Sequence, residues 1–178
     1  MADLPLSLSA SPPKYDRVTL GLHLGLAVGV VGQLMLGLVM RVPAGVGLGV
    51  RDWHRQAFEI HARLGLAVAA LCALHWLWFL APASQPGIAA LFPWMHSAPK
   101  TGSVRPLVGT VHGLGLLAVT GSSVGGIVNY LGYFVGLPIP TVVLHWVARG
   151  HIALGYIIGL FLVGHGSMAI SHWLKPKR

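Results

Sequence analysis

Residues 145–178 read HWVARGHIALGYIIGLFLVGHGSMAISHWLKPKR. This apolar run is long enough for one membrane-crossing helix, and it carries His151 and His165 fourteen positions apart. At about 100° per residue that spacing falls about 40° short of four full turns, so both imidazoles leave the same face, roughly 21 Å apart along the axis. One helix thus offers two ligands at two depths. An ionisable ring inside hydrocarbon is costly and points to function, so the pair calls for partners at matching depths on other helices.

Composition fixes the class. Of 178 residues, 54% are hydrophobic and only 9% charged, far less charge than a soluble domain of this size carries. The reading is an all-α integral membrane protein, a four-transmembrane-helix up-down bundle, because the length fits four crossings of about 20 apolar residues plus loops. The net charge of +8 sits in short flanks around apolar runs, which reads as membrane topology and argues against nucleic acid. Cys72 is the only cysteine, so this chain by itself makes no internal disulfide, CxxCH attachment or iron–sulfur cluster; Cys72 reads as a small core residue.

Residues 1–14 read as a flexible cytoplasmic tail with three prolines and no signal-peptide pattern, and residues 15–178 as the transmembrane domain. The first crossing is expected at 18–40, where Gly21, Gly25 and Gly29 recur at helix-packing spacing. The polar cluster RDWHRQAFEIHAR (51–63) leads into a second crossing at 57–80. A proline-broken connection follows over 81–106, whose middle, GIAALFPWMH, suits either an interfacial segment or a plain loop. The third crossing is expected at 107–131, with Gly109, Gly113, Gly121 and Gly125 at packing spacing. All six tryptophans fall near crossing ends or in loops, as interfacial anchors do.

With both termini cytoplasmic, seven Lys and Arg lie inside and five outside. That orientation places His61 and His151 toward the outer end, and His23, His75, His112, His165 and His172 toward the inner end. His54, His96 and His145 read as surface residues. A divalent ion in a transporter, or a proton relay, would recruit carboxylates as well. The only acids are Asp3, Asp16, Asp52 and Glu59, none of them deep in a crossing. Haem iron suits the histidines better: two imidazoles fill both axial positions, which leaves no vacancy for oxygen and makes electron transfer the expected task.

At this point the chain resembles the bacterial cytochrome b561 family of dihaem four-helix membrane proteins. The resemblance covers residues 15–178 and rests on VTLGLHLG after Arg17, on IHARLGL opening the second helix, and most specifically on HIALGYIIGLFLVGH in the fourth. It implies two haem b groups, an inner one held by His23 and His165 and an outer one by His61 and His151, in a bacterial inner membrane. VHGLGLL around His112 is similar to the family's third-helix histidine, which is not necessarily axial. The chain departs from the pattern at Leu24, where a tryptophan often stands, and at His75, where an arginine is common. His75 is fourteen residues beyond His61, so helices two and four display matching pairs. His75 therefore remains an alternative to His23 as the inner ligand, because spacing alone does not choose.

The resemblance further implies a membrane oxidoreductase of the superoxide:ubiquinone type in a respiratory chain, since some members oxidise superoxide outside and reduce ubiquinone inside. Five outer arginines against Asp52 and Glu59 give a field that attracts a small anion, although bilayer flanking explains the same charges. Arg55, Arg63 and Arg149 are candidates for outer haem propionates; Arg17, Lys100, Arg105 and Lys175 are candidates for inner ones. His172, two turns beyond His165, is a candidate quinone contact, with an ordinary interfacial histidine as the plainer reading. Two other functions fit the same residues: an anchor subunit relaying electrons for a hydrogenase- or dehydrogenase-type partner protein, and a histidine-lined metal or haem transporter.

Overall fold

The computed structural model of the chain describes residues 16–40, 50–81, 91–92 and 105–174. The expectations for the N-terminal tail, His96, Lys100 and the terminal Lys175 lie outside the described residues, as do the side chains of Arg105 and His172. Four helices account for nearly all of what is described: α1 (Arg17–Val39), α2 (Val50–Leu80), α3 (Arg105–Tyr133) and α4 (Thr141–Trp173). Each contains a stretch long and apolar enough to cross a bilayer, as the sequence indicates.

Two boundaries differ from the sequence expectation. Helix α2 begins at Val50 because the polar cluster is itself helical. Its Glu59 and Arg63 form an i,i+4 ion pair at 4.0 Å, a spacing that supports a helix exposed to water or headgroups. Helix α3 takes Pro106 into its first turn, where a missing N–H costs nothing. The 31 residues of α2 and 33 of α4 span about 46 and 50 Å, well beyond a hydrocarbon core of about 30 Å.

Asp16 caps α1, accepting from the Thr19 backbone N–H at 2.8 Å and from the Thr19 hydroxyl at 2.6 Å. These bonds to Thr19 favour the charged carboxylate and hold its pKa below the ordinary value. The Trp78 indole donates to the Thr19 oxygen at 2.9 Å, tying the start of α1 to the end of α2.

Packing follows chain order: α1 lies on α2, α2 on α3, and α3 on α4, whereas α1 and α4 barely touch. Glycines set the closest approaches. A Cβ on Gly29 would sit 2.7 Å from Val68 Cγ2, and one on Gly115 would sit 2.7 Å from the Phe161 ring. Between α2 and α3, the Thr120 hydroxyl donates to the Leu116 carbonyl at 2.7 Å and accepts from the Trp76 indole at 2.9 Å. The buried Cys72 thiol adds a 3.3 Å contact to the same oxygen. Trp76 is thus an interior bridge, unlike the exposed Trp53 and Trp146, which fit the anchor role.

The core is a thin seam that includes Leu26, Val30, Val68, Cys72, Leu116, Val119 and Ile158. Large apolar side chains such as Leu160 and Val163 point outward, as expected where lipid is the solvent and small residues drive helix contact. Leu91 and Phe92, from the connection after α2, enter this seam. Leu91 is buried with its carbonyl against Gly113, and Phe92 stacks on Trp76 at 6.1 Å. Leu91 and Phe92 are non-helical, in keeping with the loop alternative, and they turn inward onto the bundle; the rest of GIAALFPWMH lies outside the described residues.

The Gly29 contact gives a direct test. Val68 is β-branched and cannot easily turn away within a helix, so Gly29→Ala should lower the melting temperature of the detergent-solubilised protein, overpacking costing about 1–3 kcal/mol. Adding Val68→Ala should recover the loss. Gly21→Ala, with no atom within 4 Å of the new Cβ, should be near neutral in the same assay.

Candidate functional site

The site lies along α4. Helix α4 is the least enclosed of the four, and its Gly155, Gly159 and Gly166 have open space where a Cβ would be. These glycines sit about 40° to 80° around the helix from His151, so they form a flat strip beside the histidine face. Such a strip admits a planar ligand, and side chains there would fill the space.

Two groups of histidines meet α4 at different depths. In one tier, His61 of α2 faces His151 with ring centroids 6.1 Å apart and planes at 88°. In the other, His23 of α1 faces His165 at 6.1 Å and 71°. The tiers are about 21 Å apart, being fixed by the fourteen residues between His151 and His165. An iron bound axially by two imidazoles, each nitrogen about 2.0 Å from the metal, holds the ring centroids roughly 6.3 Å apart. Both ring pairs fall close to that separation, and each pair joins α4 to a helix that it does not pack against.

The His151–His61 tier is oriented from behind. The ring Nδ1 of His151 lies 2.8 Å from the Ser122 carbonyl oxygen, an atom that can only accept, so Nδ1 carries the proton and Nε2 keeps the lone pair a metal takes. The Ser122 hydroxyl lies 3.2 Å from the same Nδ1. Gly125 and Gly126 let α3 approach this ring, with Gly126 facing His151 Cε1. On α2, His61 has a buried Nδ1 with no hydrogen-bond partner, and its backbone carbonyl accepts from Gln33 Nε2 of α1 at 2.7 Å. Neither Ser122 nor Gln33 stood out in the sequence. The signal available was polarity at matching depth: Gln33 is the long polar residue of α1, and Ser122 is level with His151.

The His23–His165 tier is more crowded. His112 of α3 lies 4.7 Å from His165 and 5.8 Å from His23, ring centre to ring centre. The Phe161 ring stacks on His165 at 5.4 Å with planes at 10°. His75 is buried against Phe79 at 4.9 Å, ring centre to ring centre, with its Nδ1 unpartnered. The ring that faces His165 from the α1–α2 side is His23.

Of the remaining histidines, His145 is exposed beside Trp146, His54 lies in the polar first turns of α2, and His172 occupies the last turn of α4. Among the candidate propionate partners, Arg63 pairs with Glu59 and Arg149 lies over the Trp146 ring at 5.5 Å.

Imidazoles in two facing pairs, no carboxylate beside them among the described residues, and a glycine strip along α4 make up a donor set suited to haem iron. A model of the prokaryotic cytochrome b561 family matches residues 14–178. No curated protein and no solved structure matches the chain. The match covers nearly the whole sequence and includes every histidine of both tiers: the chain belongs to the prokaryotic cytochrome b561 family, membrane cytochromes b that bind haem b and take part in electron transfer.

Proposed function

We propose that the protein is a dihaem cytochrome b that carries electrons across the bilayer from a small-molecule donor on the outer face to quinone in the membrane. The observation that carries this reading is the repetition of one ring separation, 6.1 Å, in two tiers along a single helix. His61 and His151 would hold the outer haem, and His23 and His165 the inner one. When bound, each haem supplies a one-electron couple with no open coordination position. The protein residues do the rest. The Ser122 carbonyl holds His151 in the metal-binding tautomer, and Gln33 fixes the α2 backbone at His61. The glycine strip of α4 leaves room for the macrocycle, while the apolar side chains around it keep water out.

The bundle axis distance of about 21 Å between tiers covers most of a core of about 30 Å. Superoxide suits the donor side, since the outer surface is rich in arginine. Its oxidation is balanced by reduction of quinone: two superoxide ions become two molecules of oxygen, and one quinone takes two electrons and two protons to become quinol. His172 is the proposed quinone contact at the inner end of α4. The partners on this reading are membrane lipid and quinone, in the plasma membrane with both termini cytoplasmic.

Haem counts in single variants test the ligands. His61→Ala and His151→Ala should each leave one haem per chain, the same one by its α-band and midpoint potential, and His165→Ala should leave the other. His23→Ala should match His165→Ala, whereas His75→Ala should keep both. Retention of both haems after loss of His23 would transfer the ligand role to His75.

The donor and acceptor are tested with the purified native chain alone. A pulse of superoxide should reduce the haem and then added ubiquinone, and His151→Ala should abolish the quinol formed. Reduction that requires a separate dehydrogenase would make the chain an anchor subunit instead.

A further inference from the structure

A bis-imidazole haem uses two rings of the His23–His165 tier, and the tier holds a third ring at contact distance. The donor nitrogens of His23, His112 and His165 all lie within 4.8 Å of one another. They come from three different helices, α1, α3 and α4. The ring separations are 4.7, 5.8 and 6.1 Å. A linear axial pair needs roughly 6.3 Å, whereas two imidazoles on a tetrahedral ion at about 2.0 Å have centroids roughly 5.1 Å apart. The His112–His165 pair is too close to face across a macrocycle and is near the tetrahedral value. His23 reaches the same point by moving inward by about 1 Å, a small rotamer adjustment.

We propose that in the haem-free chain His23, His112 and His165 form a three-imidazole site for a divalent transition-metal ion, and that this ion and the haem of that tier exclude each other. The chemistry of the donors defines the class of ion. Three neutral nitrogens with no carboxylate beside them favour zinc, cobalt, nickel or copper over magnesium or calcium. The scarcity of acids that argues against an ion pathway through the bundle does not weigh against a static site of this kind. Three protein ligands leave a fourth position for water. Binding draws α1 toward α3 and α4 across the side of the bundle where helix contact is weakest, so the ion raises stability by mass action. The other tier has only His61 and His151 facing each other, which sets the expected stoichiometry at one ion per chain. The exclusion clause rests on the dihaem reading; the metal site does not.

The test uses the full-length chain purified in detergent from haem-starved cells and titrated with Co2+, whose four-coordinate complexes absorb strongly in the visible. The native chain should develop those bands at one cobalt per chain and melt at a higher temperature with cobalt than without. His112→Ala should lose both effects, while His145→Ala, outside both tiers, should keep them. Thermal melting of each variant without metal shows whether it is folded. Should His112→Ala not fold, His112→Gln and metal analysis of native chain made with limiting haem and added zinc decide the matter. Absence of the bands in the native chain, or their persistence without His112, would overturn the metal site. Cobalt uptake by fully haem-loaded protein at the same histidines would overturn the exclusion. The haem content of native protein from haem-replete cells judges the other reading separately. Two haems with no cobalt site defeats only the metal proposal, and a cobalt site in a chain that never takes haem defeats only the dihaem reading.

Discussion

The structure depends on the approach of histidine rings from different helices to α4 at two depths. In hydrocarbon a lone imidazole has no water to satisfy it, and every additional polar group near the bilayer centre raises the cost. Five histidines of its helices, His23, His61, His112, His151 and His165, converge in two groups. His61 meets His151 and His23 meets His165 at the same 6.1 Å, while α1 and α4 otherwise barely touch. The helix packing can be understood from this requirement. Glycines on α1 and α3 seat their immediate neighbours α2 and α4 tightly, and glycines on α4 leave the ligand face clear.

Electrostatics and packing divide the work between the two ends. At the His151 tier the second contact is a fixed backbone acceptor, the Ser122 carbonyl, so one tautomer is selected and the ring is held. At the His165 tier the ring is held by aromatic faces, with Phe161 stacked on it and His112 set edgewise at 90°. A ring held by a carbonyl donates charge toward a bound metal, whereas one held by stacking does not. The two tiers therefore offer a bound group different surroundings, a hydrogen-bonded ring at His151 and a stacked one at His165.

Much of the fold was legible because it follows from periodicity and composition. The four crossings, their order and the common face of His151 and His165 need only helix geometry and the apolar run lengths. What stayed hidden depends on how each helix is rotated about its own axis. The glycine pairs of α3 do not say whether His112 turns toward α4 or away, and the structure turns it to within 4.7 Å of His165. His75 sits fourteen residues from His61 and so shares its face, yet it is buried against Phe79 while His23 presents the ring opposite His165. Trp76 looked like an interfacial anchor by position but bonds inward to Thr120, because α2 runs past the seam where Leu91 and Phe92 fold back. Ser122 acts through its carbonyl, which every residue possesses, so residue identity marked the position only weakly.

The central claim is that two irons are each gripped by two imidazoles from different helices. Low-temperature EPR of the oxidised native protein, quantified per chain, tests it most directly. The account predicts two low-spin ferric centres, both with the large anisotropy of near-perpendicular imidazole planes, in keeping with the 88° and 71° between the rings. A high-spin ferric signal, or a single low-spin centre per chain, would contradict it.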